Sequence, residues 1–304
     1  MRVLARLPAV RVTVLADTDA KNRDHAARLV PHAAVVDTTE QAVAAEVDAV
    51  LISLPTGLHA AAALTAFRHR KHVYLEKPLA TSLAEAQPVL DEWRRAGVTG
   101  MIGFNYRFNP LFAQARDLIR SGRIGDVLHV RSVFTTPARP LPVWKQSRAT
   151  GGGVLLDLAS HHCDLLPWLL DRTVVRIATS VRSIKSEADT AAVEWHWDGG
   201  ITGQSFFSLS AADEDRLEVI GTSGTLTVDR YRSSRVEVGR SRAAAFLPTA
   251  YTLQRLRSPG HEPSYARALT EFIAAIRERR PATPDMTDGY RSLQLVCAAE
   301  ESHA

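Results

Sequence analysis

The chain has 304 residues, with 37 lysines and arginines against 33 aspartates and glutamates, a formal net charge of +4, and 45% hydrophobic residues. That describes an ordinary soluble chain with ample core, and at this length two domains are expected. The arginines are scattered, as in RHRK (68–71) and RERR (277–280), and no apolar run approaches the roughly 18 residues needed to span a bilayer, so neither nucleic acid nor membrane is an expected partner.

MRVLARLPAV is short and interrupted by arginine, so it lacks the apolar region of a signal peptide. The only cysteines are Cys163 and Cys297, far apart and without a CxxC. A reducing cytoplasm is therefore expected, with no disulfide framework and no structural metal.

In chain order, MRVLARL reads as the last turns of a helix that Pro8 ends, and VRVTVLAD (10–17) as a buried strand closed by an acid. The helical DAKNRDHAARLV (19–30), the short strand AAVVD (33–37) and the helical TEQAVAAE (39–46) follow. DAVLISLP (48–55) is a continuous apolar strand, TGLHAAAALTAFRHR (56–70) an amphipathic helix, and HVYLEKP (72–78) another strand. SLAEAQPVLDEWRRAG (82–97) reads as a helix containing Pro88, and VTGMIGFN (98–105) as the next strand. Uninterrupted apolar strands between helices imply a parallel sheet covered on both faces.

The pattern then changes. Residues 109–122 read as a helix, VLHVRSVFT (127–135) as a strand, and Gly151-Gly152-Gly153 opens a long apolar helix over 153–170. From about 172 to 241, short strands alternate apolar and polar residues between turns such as DGG and TSG, which describes an antiparallel sheet with one wet face. Helices at 263–280 and 287–301 finish the chain.

Three stretches carry chemistry. Leu54-Pro55-Thr56-Gly57-Leu58-His59 follows the carboxyl end of an apolar strand, the edge at which open parallel sheets bind ligands. Taken alone it is a strand-to-helix turn with a cap. Glu76-Lys77-Pro78 places a lysine at the end of a buried strand, in the crevice, and the proline favours an extended Lys77. In GGGVLLDLASHHCD, Asp157 and His161 are four apart, so a helix stacks them on one face with Asp164 a turn further on. A carboxylate beside an imidazole can fix its tautomer and raise its basicity, as general-base catalysis requires. The same spacing also makes a plain helical hydrogen bond, and a metal site would need more ligands than are visible.

In that order, the three stretches resemble the glucose–fructose oxidoreductase/inositol dehydrogenase (Gfo/Idh/MocA) family of nicotinamide-dependent sugar dehydrogenases. The resemblance covers almost the whole chain. VLADTD (14–19) is similar to the family's second strand with its ribose-binding acid, here Asp17, and LISLPTGLHA (51–60) to its TPxxxH turn, with Leu54 where threonine is common. YLEKPLA (74–80), GFNYRFNP (103–110), VWKQSRATGGGVLLDLASHHCD (143–164) and GTSGTLTVD (221–229) resemble its EKP, GxxxRxxP, catalytic-helix and late-strand segments.

The resemblance implies an α/β fold: a Rossmann-like parallel sheet over 1–107 lacking its first strand, then an α+β domain over 108–304 with an open, mainly antiparallel sheet. That sheet is the expected surface of a homo-oligomer. NAD is the implied cofactor, because an acid at Asp17 accepts from the ribose 2′-OH and repels a 2′-phosphate, with NADP possible through Lys21 and Arg23. Asp17, Leu54, Pro55, Thr56, His59, Glu76 and Lys77 are the implied cofactor-binding residues. Lys77, Asp157 and His161 are the implied catalytic residues, His161 as general base and Lys77 contacting substrate hydroxyls and nicotinamide. Tyr106, Arg107, Trp144 and Lys145 join those three as candidate substrate contacts.

The expected activity is a sugar, inositol or amino-sugar dehydrogenase. Redox-neutral elimination with recycled NAD, or a non-catalytic sensor or interaction subunit, remain alternatives. No G-x-G-x-x-G occurs in the 304 residues. MRVLARL thus corresponds to the second half of the first Rossmann helix, and weak cofactor binding is expected unless an upstream strand and glycine loop are supplied.

Overall fold

The computed structural model describes residues 3–4, 7, 10–231, 235–240, 243–247 and 263–303. Most of MRVLARLP lies outside them. Two compact units result, one of Met1–Gly103 with Tyr265–Tyr290, the other of Phe104–Ser264 with Arg291–Ala304. A linear division into 1–107 and 108–304 does not contain the return of 265–290 to the first unit.

In the first unit, β1 (Val14–Ala16), α1 (Ala20–Leu29), β2 (Ala34–Val36), α2 (Thr39–Ala44), β3 (Ala49–Ile52), α3 (His59–Arg68), β4 (His72–Leu75), α4 (Leu83–Ala96) and β5 (Gly100–Ile102) alternate. Every ladder is parallel. The strands form two sheets, β1–β2 and β3–β4–β5, the two flanks that a doubly wound order places on either side of its first strand. The expected strand over 10–17 is regular only at 14–16, where β2 supplies a partner.

Helix ends follow local chemistry. Asp19 caps α1, Thr38 and Gln41 form a reciprocal box on α2, and Ser82 caps α4, which Gly97 ends at φ +66°. Pro88 lies on the exposed side of α4 without breaking it. The core is Phe67, Val73, Tyr74, Leu75, Met101 and Ile102. Phe272, on α7 (Ser264–Glu278), closes it edge-on to Tyr74 at 5.7 Å.

In the second unit, the helix α5 (Pro110–Arg120) precedes β6 (Val127–Thr135), and α6 (Ser160–Leu170) precedes β7 (Val174–Arg182) and β8 (Thr190–Trp197). Then come β9 (Thr202–Ser208), β10 (Glu214–Gly221), β11 (Gly224–Asp229), β12 (Arg235–Arg240) and β13 (Ala243–Leu247). They form one eight-stranded sheet in the order β13-β12-β11-β10-β6-β9-β8-β7, antiparallel except between β6 and β9. β13 escapes a reading by propensity because AAAFL is mostly alanine.

One face of the sheet buries Val130, Phe134, Val193, Trp195, Phe207, Leu217 and Val219, while Arg131, Glu194, Gln204 and Arg216 point to the other. This is the one-wet-face alternation expected. The last helix, α8 (Met286–Glu301), begins in the first unit and ends in the second.

The expected helix over 153–170 is α-helical only from Ser160. Leu155–Ala159 is a π turn, with the Ser160 N–H donating to the Leu155 carbonyl. The wider turn buries Leu155, Leu156 and Leu158 while leaving Asp157 half-exposed among them. Such turns recur at functional sites.

Candidate active site

The residues singled out in the sequence fall into two sets, one in each unit. In the first unit they gather at the carboxyl ends of the parallel strands. Asp17 follows β1; its carboxylate accepts from the Asp19 N–H at 2.8 Å and the Asn22 amide at 3.2 Å. Arg23 Nη1 donates to the carbonyls of Asp17 and Thr18 at 2.7 and 3.0 Å, so its charge is committed beside the acid.

After β3, Thr56–Leu58 makes a short 3₁₀ turn into α3. Thr56 and His59 are buried, Leu54 and Pro55 half-buried, and Leu58 is exposed. His59 faces two carbonyls, Pro78 at Nδ1 (2.7 Å) and Leu54 at Nε2 (2.8 Å). It therefore clips the turn to the segment after β4, with both ring nitrogens engaged inside the protein. Burial holds its pKa down, helped by the Lys77 charge and opposed by the two carbonyls.

Glu76 and Lys77 follow β4, both half-buried, and the Lys77–Pro78 peptide is cis. Burial pushes the Glu76 carboxyl up, against the pull of Lys77. Glu76 Oε2 lies where a Cβ on Gly103 would meet it at 2.9 Å, which explains the glycine that opens GFNYRFNP.

In the second unit, the glycine run opens the segment that leads into α6 for three local reasons. Gly151 and Gly153 have φ of +99° and +89°, and a Cβ on Gly152 would come within 2.3 Å of the Lys145 carbonyl oxygen. The Gly152 N–H donates to the Ser147 carbonyl at 2.8 Å, and that of Val154 to Ala188 at 2.8 Å. This close turn delivers Lys145 Nζ to Asp157 Oδ2, 2.8 Å away. Trp144 is half-buried, with Lys145 Nζ 5.2 Å from its ring centroid.

His161 stands on the first turn of α6. Its ring stacks on Tyr106 with centroids 4.5 Å apart and planes 17° apart, and Phe134 meets it edge-on at 6.0 Å. Next to it, His162 is fully buried in a chain of polar contacts: Ser132 Oγ at 3.0 Å, Ser205 Oγ 2.6 Å beyond, and the Trp195 indole N–H on Ser205 at 2.8 Å. Trp195 can only donate, so Ser205 Oγ accepts from it at that end of the chain. Burial pushes the His162 pKa down to about 3, with Arg230 adding to the shift.

Two expected substrate contacts are engaged elsewhere. Arg107 binds Asp164 through two nitrogens, Nε at 2.9 Å and Nη2 at 2.5 Å, with both side chains nearly buried. The Tyr106 hydroxyl donates to Asp215 at 2.9 Å. Burial and the Asp215 charge raise the Tyr106 pKa well above its ordinary value, against the opposing Arg230, so the phenol stays a donor. Asp215 and Arg230 had not been singled out, although a signal was present: in DRLEV, Asp215 alternates in phase with Leu217 and Val219, an acid on the apolar face. Among the described residues no cluster of three or more His, Cys, Asp or Glu could hold a metal ion.

Comparison with known proteins matches residues 1–104 to the family profile described as oxidoreductase family, NAD-binding Rossmann fold, and residues 112–227 to the GFO/IDH/MocA C-terminal domain. The chain is 33% identical over 278 residues to 1,5-anhydro-D-fructose reductase of Ensifer adhaerens, covering 85% of this chain and 78% of the relative. It is 28% identical over 269 residues to myo-inositol 2-dehydrogenase of Thermotoga maritima, covering 84% and 77%. In fold it is similar to levoglucosan dehydrogenase solved with NADH and L-sorbose, with a TM-score of 0.88, 22% identity and coverage of 99% and 92%.

Proposed function

The chain belongs to the GFO/IDH/MocA family of oxidoreductases, and on that premise we propose that it transfers a hydride between NAD and a secondary alcohol of a sugar, inositol or amino-sugar-like substrate. The observation that carries this reading is the Asp157–Lys145 pair, 2.8 Å apart on the glycine-opened segment that leads into α6, whose first turn carries His161.

The donors present fit two ends of the cofactor. The Asp17 carboxylate suits an adenosine ribose, and the Lys77 ammonium suits the nicotinamide end; a G-x-G-x-x-G loop for the pyrophosphate is not among the 304 residues. A bound nicotinamide would supply the acceptor for the hydride released from the substrate carbon. His161 takes the hydroxyl proton, so the alcohol becomes a ketone and the electron pair leaves with the hydride. Asp157, held by Lys145, accepts from a neighbouring substrate hydroxyl. Lys77 places positive charge where the alkoxide develops.

The same reading makes the chain a homo-oligomer through the wet face of the large sheet. There a groove of about 840 Å³ is lined by charges of both signs, among them Arg131, Arg216, Glu194 and Glu218, with Phe206 exposed among them. Arg131 and Glu218 pair at 2.6 Å. Among the described residues no helix is long and apolar enough to cross a membrane. On this reading the chain, whose Cys163 and Cys297 share no disulfide among the described residues, works in a reducing cytoplasm.

The test is NADH formation with a panel of inositols, anhydro-sugars and amino-sugars, and oxidation of NADH with the matching ketones. His161→Ala should lower kcat by about 10²–10⁴-fold with cofactor affinity unchanged. Near-normal turnover by that variant would remove His161 as the base.

A further inference from the structure

Tyr106, Asp215 and Arg230 meet in a polar group on the covered face of the large sheet. The Tyr106 hydroxyl donates to Asp215 Oδ2 at 2.9 Å, and Arg230 Nη1 lies 2.8 Å from the same oxygen. The Arg230 guanidinium carbon also stands 4.3 Å from the Tyr106 ring centroid, so one cation holds both the ring and its anchor. The Arg230 N–H donates to the Asp215 carbonyl at 3.0 Å, which ties the end of β11 to the start of β10. Side-chain exposure is 11% for Arg230 and 1% for Asp215.

Burying a carboxylate, a guanidinium and a phenol is a poor way to gain stability, since apolar residues of the same volume do as well or better. Such a group fixes geometry instead. What it fixes is the Tyr106 ring, which has two parallel neighbours, Phe112 at 5.2 Å and, nearer at 4.5 Å, the imidazole of His161. A general base must hold one ring nitrogen within hydrogen-bond reach of the substrate proton, and an error of about 1 Å can cost a factor of about 10² in rate. An imidazole stacked on a ring free to slide would share that motion. A ring pinned at its hydroxyl and gripped on its face does not slide.

We propose that Asp215 and Arg230 are positioning residues for His161, acting through the Tyr106 ring. The catalytic consequence rests on the reading of His161 as the base; the geometric part does not.

The test uses the full chain with carbon-labelled histidine, the His161 ring signals being assigned by their loss in His161→Gln. Tyr106→Phe keeps the ring and removes its anchor, and Arg230→Lys keeps the charge and removes the planar grip. Both should fold cooperatively and displace the His161 ring resonances. They should lower kcat about 10-fold while substrate KM and cofactor Kd stay within about two-fold. Asp215→Asn is the harsher change, because it leaves Arg230 without its counter-charge; if it unfolds, the two conservative variants carry the test.

Unchanged His161 resonances in both conservative variants would overturn the proposal. So would a fall in kcat without any movement of those resonances, which would place the effect elsewhere. Should the wild-type chain turn over no secondary alcohol, the dehydrogenase reading falls, while the resonances still decide whether Tyr106 holds His161.

Discussion

Lys145 Nζ lies 2.8 Å from Asp157 Oδ2 across the glycine turn, with the two side chains 23% and 17% exposed. The contact holds the carboxylate in place. A partly exposed pair of this kind contributes about 0–1 kcal/mol to stability, so its value is in orientation. Lys145→Met should leave the unfolding midpoint nearly unchanged and lower kcat/KM for the alcohol by about 10-fold or more. Steady-state kinetics beside urea unfolding checks this; equal losses in both would mark the pair as merely structural.

Lys77 lies just past the end of β4, half-buried, with Glu76 before it and His59 close enough to feel its charge. Lys77→Met keeps the stem and removes the ammonium. Loss of an electrostatic donor at a developing alkoxide costs about 10²–10³-fold in kcat. The variant should unfold in a single cooperative step, and wild-type turnover would show Lys77 to be outside the reaction.

Gly152 allows the backbone approach on which the Lys145 contact depends. In Gly152→Ala the new Cβ would stand 2.3 Å from the Lys145 carbonyl oxygen, an atom that cannot swing away without its loop. Destabilisation of about 1–3 kcal/mol is expected from such overpacking, together with reduced kcat/KM as Lys145 leaves Asp157. Thermal melting and kinetics on one preparation test both effects. Gly97→Ala serves as the control: nothing stands within 4 Å of its would-be Cβ, so its only strain is a φ of +66°.

Acid should act on the second unit through His162. Its folded pKa of about 3 lies below the ordinary 6.5, so the native state holds it neutral while the unfolded state takes up a proton. The stability it protects is complete above pH 6.5 and is lost as the pH falls toward 3. The slope is about 1.4 kcal/mol per pH unit. His162→Gln should be less stable at neutral pH yet lose about 2 kcal/mol less than wild type between pH 6.5 and 5. Parallel urea titrations at the two pH values would refute this if both proteins showed the same slope.

The sequence by itself determined the local elements and the residue types at the site. Apolar runs between helical periods announced the parallel strands, and alternation announced the large sheet with its wet face, because side-chain direction repeats along a strand or helix. Strand ends placed Asp17, the 54–59 turn and Lys77, while the Asp157–His161 spacing could be counted from the letters.

Tertiary packing decided what those residues touch. Arg107 turned to Asp164, 57 positions away, and the Tyr106 hydroxyl to Asp215, 109 positions away, although both had been expected to face substrate. His59 closed on two carbonyls, Lys145 reached Asp157, and residues 265–290 joined the first unit. The π turn at Leu155–Ala159 also belongs here, since three leucines had to be buried around one acid. Periodicity records which way a side chain points along its own element. The partner it meets is set by how elements distant in the chain pack, where each buried donor and charge must find an acceptor or counter-charge.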